Sequence, residues 1–294
     1  MVSVMGLAMR EQLKLLKPLI SNASIESQRK GQDLAGELGL RAAGSKIEVV
    51  EEPFENFKAA FVTPNEMPDS RRVLLYLHGG AYVAGGLEYS LGFGSILALN
   101  TGIKTLCVGY RLAPEHVFPA AIDDALAAYE RLLESYDAQN ISLVGESAGG
   151  GLLLALMYRL KDENKPLPRS AVALSPWTDL TLSGESYTAN EEIDPTLSKE
   201  SLRFDARLYA ADELKDPYVS PLFGLPTGFP KTLIYVGECE MLLDDSRRMA
   251  ELLLRAGCDC ELHIAEGMWH VYVLFGMPES REALERISEF LKDE

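Results

Sequence analysis

The sequence predicts an α/β domain with a mostly parallel central sheet, helices on both of its faces and a helical cap. From Ile47 onward, short apolar β-rich runs alternate with longer helical ones. Alternation of this kind builds parallel strands joined by crossover helices. The stretch from Asp179 to about Lys215 is different: it is polar, contains Asp194-Pro195 and a helix-like run over Ser198 to Ala211, and interrupts the alternation between two core strands. An inserted lid has this character.

In chain order, residues 1 to about 40 read as helical, with Leu13, Leu15, Leu16 and Leu19 at helical spacing, then a polar stretch, then Leu34, Leu38 and Leu40. Strands are expected over Ile47 to Val50, Phe57 to Val62, Val73 to Leu77, Thr105 to Tyr110, Ile141 to Gly145, Ala171 to Leu174, Thr232 to Val236 and Glu261 to Ile264. The intervening helices are expected over Tyr89 to Asn100, Ala120 to Tyr136, Ala148 to Leu160, Asp245 to Ala256 and Ser280 to Leu291. This divides the chain into an N-terminal helical cap segment, 1–40, and a main domain, 41–294, with a cap insertion around 179–215.

The chain has 294 residues, 47% of them hydrophobic, enough for one large domain with a substantial core. A formal net charge of −16 argues against binding a phosphate backbone or an anionic membrane surface. No apolar run reaches the roughly 20 residues needed to span a bilayer, and Met1 to Met9 lacks the basic start and cleavage site of a secretory signal. The four cysteines, Cys107, Cys239, Cys258 and Cys260, are too few and too irregular for a disulfide framework. A cytoplasmic protein is therefore expected. Cys258-Asp259-Cys260 has no second half to complete a zinc site, so no metal is expected.

The most informative segment is Ile141 to Gly151, in which a β-rich run meets Gly145-Glu146-Ser147-Ala148-Gly149 and then a Leu/Ala-rich helical run. A strained strand-to-helix turn that holds out a nucleophilic hydroxyl is written this way, with small residues where strand and helix nearly touch. Ser147 would stand at a helix N-terminus, where backbone N–H groups favour developing negative charge. Upstream, His78-Gly79-Gly80-Ala81-Tyr82 follows a strand, and consecutive glycines let backbone donors approach a reacting carbonyl. Gly79 and Gly80 are the expected oxyanion donors from that loop, and Ala148 from the other side. His78 is expected to brace the loop.

A serine needs a base. His78 and His116 precede Ser147, and His263 lies within an expected strand. His270, on a loop after the last strand, fits the chain order of nucleophile, acid and base. The acid must come from the end of another strand, and Gly237 to Asp245 offers Glu238, Glu240, Asp244 and Asp245, among which position alone does not choose.

Together these residues resemble the hormone-sensitive-lipase-like family of the α/β-hydrolases, bacterial carboxylesterases in particular. His78-Gly79-Gly80-Ala81 is similar to the family's His-Gly-Gly-Gly loop, and Tyr110 to His116 with Phe118 to Ala121 to its next landmark. Gly145 to Gly150 matches its elbow, Ser175 to Leu180 a later strand end, and Asp216 to Leu222 the return from the cap. Three departures stand out. Ala81 replaces the third glycine, leaving an N–H but adding a methyl, and Glu146 stands where the family usually has Asp. The family's Asp-x-Leu-x-Asp segment aligns with Glu240 to Asp244, making Glu240 the implied triad acid and Asp244 the runner-up.

The resemblance implies an α/β-hydrolase fold and a cofactor-independent serine esterase for short acyl esters, with Ser147, Glu240 and His270 as triad. It also implies a homodimer through an edge strand near Cys260 to Ile264. Hydrolysis of amides, thioesters or carbamates is the nearer alternative, since the same machinery suits any acyl transfer. A non-catalytic ligand receptor on the same fold is the more distant one.

Overall fold

The eight apolar runs become eight strands: β1 (Ile47–Pro53), β2 (Lys58–Pro64), β3 (Val73–Leu77), β4 (Lys104–Gly109), β5 (Ile141–Glu146), β6 (Ser170–Leu174), β7 (Lys231–Gly237) and β8 (Cys260–Ala265). In this computed structural model they form one sheet in the order β1-β2-β4-β3-β5-β6-β7-β8. Residues 2–21, 23–66 and 71–293 are described. Met1, Asn22, residues 67–70 and Glu294, which fall inside the two segments delimited above, lie outside the described residues.

From β4 to β8 the neighbours run parallel, while β1 and β2 form a hairpin that joins β4 antiparallel. Only four residues separate β1 from β2, too few for the crossover that a parallel pair requires. Every residue of β3, β5 and β6 is buried, because helices cover both faces.

The helices are α1 (Val4–Ser21), α2 (Ile25–Ala43), α3 (Leu87–Thr101), α4 (Ala120–Leu133), α5 (Ala148–Asp162), α6 (Ser186–Ala189), α7 (Lys199–Ala210), α8 (Leu243–Arg255) and α9 (Pro278–Lys292). One apolar cluster gathers α4, α5 and α8 with residues of the sheet; the other gathers α3 and α9 with residues of its opposite face. The N-terminal segment is two helices, with the Ser24 side chain capping the second by accepting from Ser27 N. The inserted stretch carries α7 where a helix is expected, plus the single turn α6, which is too short to show a periodicity.

The close contact at the strand-to-helix turn is steric in origin. A Cβ on Gly145 would run into Gly149 O, and one on Gly149 would run into the carbonyls of Leu77 and His78. Gly149→Ala is therefore expected to destabilise the fold by about 1–3 kcal/mol, as overpacking against rigid backbone does. Urea unfolding of this variant beside the parent checks it.

No helix among the described residues is long and apolar enough to cross a membrane. The four cysteines are free thiols, three of them buried.

Candidate active site

The site sits at the carboxyl ends of adjacent strands, where ligands bind in open α/β sheets. Ser147 follows β5, Ser175 follows β6, Glu240 follows β7 and His270 lies on the loop after β8. Since these four strands are consecutive neighbours, side chains distant in sequence meet in space.

Ser147 has φ 55° and ψ −122°, a conformation that a residue with a Cβ rarely adopts. Its neighbours hold it there. Ser147 N donates to Leu174 O at 2.8 Å, and Ser147 O accepts from Trp177 N at 2.9 Å and Gly151 N at 3.1 Å. The hydroxyl Oγ lies 2.9 Å from His270 Nε2. On the other side of the ring, His270 Nδ1 lies 3.3 Å from Glu240 Oε1. A carboxylate can only accept, so the Nδ1 facing it carries the proton and Nε2 is left to accept from the serine.

Glu240 is fully buried, and its second oxygen accepts from Ser175 Oγ at 2.8 Å and from Gly237 N at 3.0 Å. The backbone beneath it is fixed too: Asn190 Nδ2 donates to Glu240 O, and Met241 N donates to the buried carboxylate of Asp194. Asp244, the runner-up, faces elsewhere. Its carboxylate accepts from Ser186 N at 2.9 Å and lies 3.7 Å from Arg247.

Burial favours the neutral form of His270, but the hydrogen bond and charge of Glu240, helped by Asp194 and Glu146, outweigh it and raise the imidazole above its ordinary 6.5. Burial holds His78 down at about 4, so it stays neutral. His78 Nδ1–H donates to Gly79 O at 2.6 Å and its ring stacks on Tyr110 at 4.2 Å, a bracing arrangement. Burial pushes Glu146 up to about 7 against the opposing pull of Gly79 N, His270 and the hydroxyls of Tyr76 and Tyr89.

One expected donor is already engaged in this arrangement. The Gly79 N–H is already committed to Glu146 Oε1, and Gly79 is buried. Gly80 and Ala81, by contrast, are half-buried, and their amides meet no acceptor among the described residues. Ala148 is the first residue of α5, where an N–H has no partner within the helix. The loop therefore offers Gly80 and Ala81, with Ala148 opposite. Glu146, placed 67 residues after Gly79 and pointing back at it, was the acceptor that a linear motif does not reveal.

Two further residues at the site were assigned no task by the sequence, although one opens the matched strand end at Ser175 to Leu180 and the other lies in the insertion. Ser175 Oγ–H donates to Glu240 Oε2 and its oxygen accepts from Val271 N at 3.0 Å, linking Glu240 to the residue after His270. Its place at the end of the strand beside β5 is the signal that could have found it. Asp194 belongs to the inserted stretch, and only its packing against Met241 reveals it. No group of three His, Cys, Asp or Glu suited to holding a metal occurs among the described residues.

A family model for the α/β hydrolase fold matches residues 74–274. Over 295 aligned residues and 96% of each chain, the protein is 35% identical to an acetyl-hydrolase of Streptomyces hygroscopicus. It is 38% identical to an esterase of Acinetobacter venetianus over 74% of each chain. An esterase crystal structure from the bacterial hormone-sensitive lipase family superposes with a TM-score of 0.89 at 34% identity, covering 99% of both chains. By fold, by family match and by likeness along nearly its whole length, the chain belongs to the α/β-hydrolases and, among them, to the hormone-sensitive-lipase-like esterases.

Proposed function

We propose that the protein is a carboxylic ester hydrolase using Ser147 as nucleophile, His270 as base and Glu240 as the acid that orients it. The observation that carries this reading is the unbroken chain Ser147 Oγ to His270 Nε2 at 2.9 Å and His270 Nδ1 to Glu240 Oε1 at 3.3 Å. Relatives named acetyl-hydrolase and esterase support the same reaction class.

In the first half-reaction His270 Nε2 takes the proton of Ser147 as Oγ bonds to the ester carbonyl carbon. The carbonyl oxygen becomes an anion, which in this reading accepts from the amides of Gly80 and Ala81 in the turn after β3 and of Ala148 at the start of α5. The protonated imidazole is stabilised by Glu240. It then gives its proton to the leaving alkoxide as the ester C–O bond breaks, leaving an acyl-serine. Water repeats the sequence, losing its proton to His270 and releasing the carboxylic acid and free Ser147. A serine-directed phosphonate is expected to label one tryptic peptide, the one containing Ser147, in parallel with loss of p-nitrophenyl ester turnover. A label on any other residue would overturn the assignment.

The base works only when neutral, so activity falls as pH drops through the His270 pKa. Because that value is raised, the acid limb of kcat/KM is expected above pH 6.5. Asp194→Asn removes one of the charges that raise it and is expected to move the limb downward. A pH series on p-nitrophenyl acetate with both proteins checks this.

Short acyl groups are the preferred substrates in this reading. Behind the donor turn, Tyr82 stacks on Tyr209 of α7 at 3.9 Å and lies 6.3 Å from Trp177, and all three rings are buried. Close packing of this kind resists insertion of a long alkyl chain. Rates are expected to be highest from acetate to hexanoate esters and to fall for dodecanoate. Comparable turnover of long-chain triglyceride emulsions would reverse the preference.

A further inference from the structure

Three consecutive residues of the turn after β3 have left-handed backbone: Gly80 at φ 111°, Ala81 at φ 54° and Tyr82 at φ 64°. For Ala81 and Tyr82, which carry a Cβ, such a conformation is strained and persists only where the surroundings hold it. Within the turn, Val83 N and Ala84 N both donate to Gly80 O, at 3.0 and 2.9 Å. From outside, Ala113 N donates to Tyr82 O at 2.9 Å, tying the turn to the 111–116 segment.

A further tie comes from the N-terminal helix α2. Arg29 Nε–H donates to Val83 O at 2.8 Å, and its Nη2–H donates to Ala113 O at 2.9 Å. The guanidinium thus bridges the same two segments that the Ala113-to-Tyr82 bond joins. Glu115, itself exposed, meets the outer edge of the fork at 2.9 and 2.7 Å. The helix that carries Arg29 cannot easily drift. It crosses α3 so closely that a Cβ on Gly92 would lie 2.6 Å from Gly36 Cα, and Gln32 Oε1 reaches to 3.0 Å from where a Cβ on Gly80 would stand.

We infer that Arg29 is a positioning residue for the oxyanion turn: by bridging Val83 O and Ala113 O it sets the direction of the Gly80 and Ala81 amides. Resting on the ester-hydrolase reading, this makes α2 part of the working site as well as its cover. The competing account is an ion pair with Glu115, whose side chain is 55% exposed, and exposed pairs of that kind contribute little. The two accounts separate experimentally. A planar fork that meets two carbonyls at once is not replaced by a lysine ammonium.

Arg29→Met is expected to lower kcat on p-nitrophenyl butyrate by about 10- to 100-fold with KM little changed, because the donors act mainly on the transition state. Arg29→Lys should recover only part of this, and added guanidinium should partly restore Arg29→Ala. Glu115→Gln keeps both carbonyl contacts and should stay near the parent. Hydrogen exchange at Val83 and Ala84 should quicken in Arg29→Met, with circular dichroism unchanged. An unchanged kcat, a slower enzyme with unaltered exchange in the turn, or a Glu115→Gln loss as large as that of Arg29→Met would each overturn the inference. If the parent shows no Ser147-dependent turnover, the ester-hydrolase reading fails instead, and the exchange measurement alone still decides whether Arg29 holds the turn.

Discussion

Ser147→Ala is expected to reduce p-nitrophenyl butyrate hydrolysis by on the order of 10⁶-fold, the scale seen when a triad nucleophile is removed. The fold should survive. Alanine keeps the Cβ and the backbone bonds of Ser147 to Leu174, Gly151 and Trp177, so the thermal midpoint should move little. Turnover near the parental level would remove Ser147 from the mechanism.

A companion variant makes the strain at this position measurable. Glycine tolerates φ 55° without steric penalty, so Ser147→Gly is expected to be more stable than Ser147→Ala by about 1 kcal/mol, the released strain exceeding the added chain entropy. Denaturant midpoints of the two variants compare directly. Equal stability would mean that the turn is unstrained.

The second large effect concerns the acid. Glu240→Ala is expected to lower kcat/KM by on the order of 10⁴-fold, since the imidazole loses both the partner that fixes its tautomer and the charge that stabilises its protonated form. Asp244→Ala should stay within roughly tenfold of the parent, because it removes only the contact to Ser186 N and a distant ion pair. A larger loss for Asp244→Ala would exchange their roles. Glu240→Gln sharpens the result: an amide can still pack there, but it offers no negative charge to the imidazolium.

The centre of the sheet was legible because strands buried on both faces are written as continuous apolar runs, as in β3 and β5. The elbow was legible because the closeness of strand and helix admits only glycine at 145 and 149. Helix ends were less clear: α4 stops at Leu133, short of the expected Tyr136, as the amides of Ser135 and Tyr136 both turn back to Leu132 O. The residues that hold the site had no local pattern to announce them. Arg29 meets carbonyls 54 and 84 residues away, and Glu146 meets an amide 67 residues back. Side chains bonding to distant backbone leave no periodicity, since any residue can supply the carbonyl or the N–H.

The choice among Glu238, Glu240, Asp244 and Asp245 had the same origin. Four acids within eight residues are equivalent on paper, and only the fold separates them: Glu238 and Glu240 lie on the loop after β7, Asp244 and Asp245 in the first turn of α8. Glu238 accepts from Gly267 N, Asp245 accepts from Thr178 N and Asp179 N, and Asp244 turns to α6. Glu240 is the one turned toward the imidazole.

Ser175 has a consequence for how this enzyme would wear out. One hydroxyl is shared by Glu240 and by the backbone next to His270, so neither arm can loosen while the other keeps its place. Heating should therefore not produce a long-lived, half-competent catalyst with its base adrift; function and local order should vanish in lockstep, like two doors hung on a single pin.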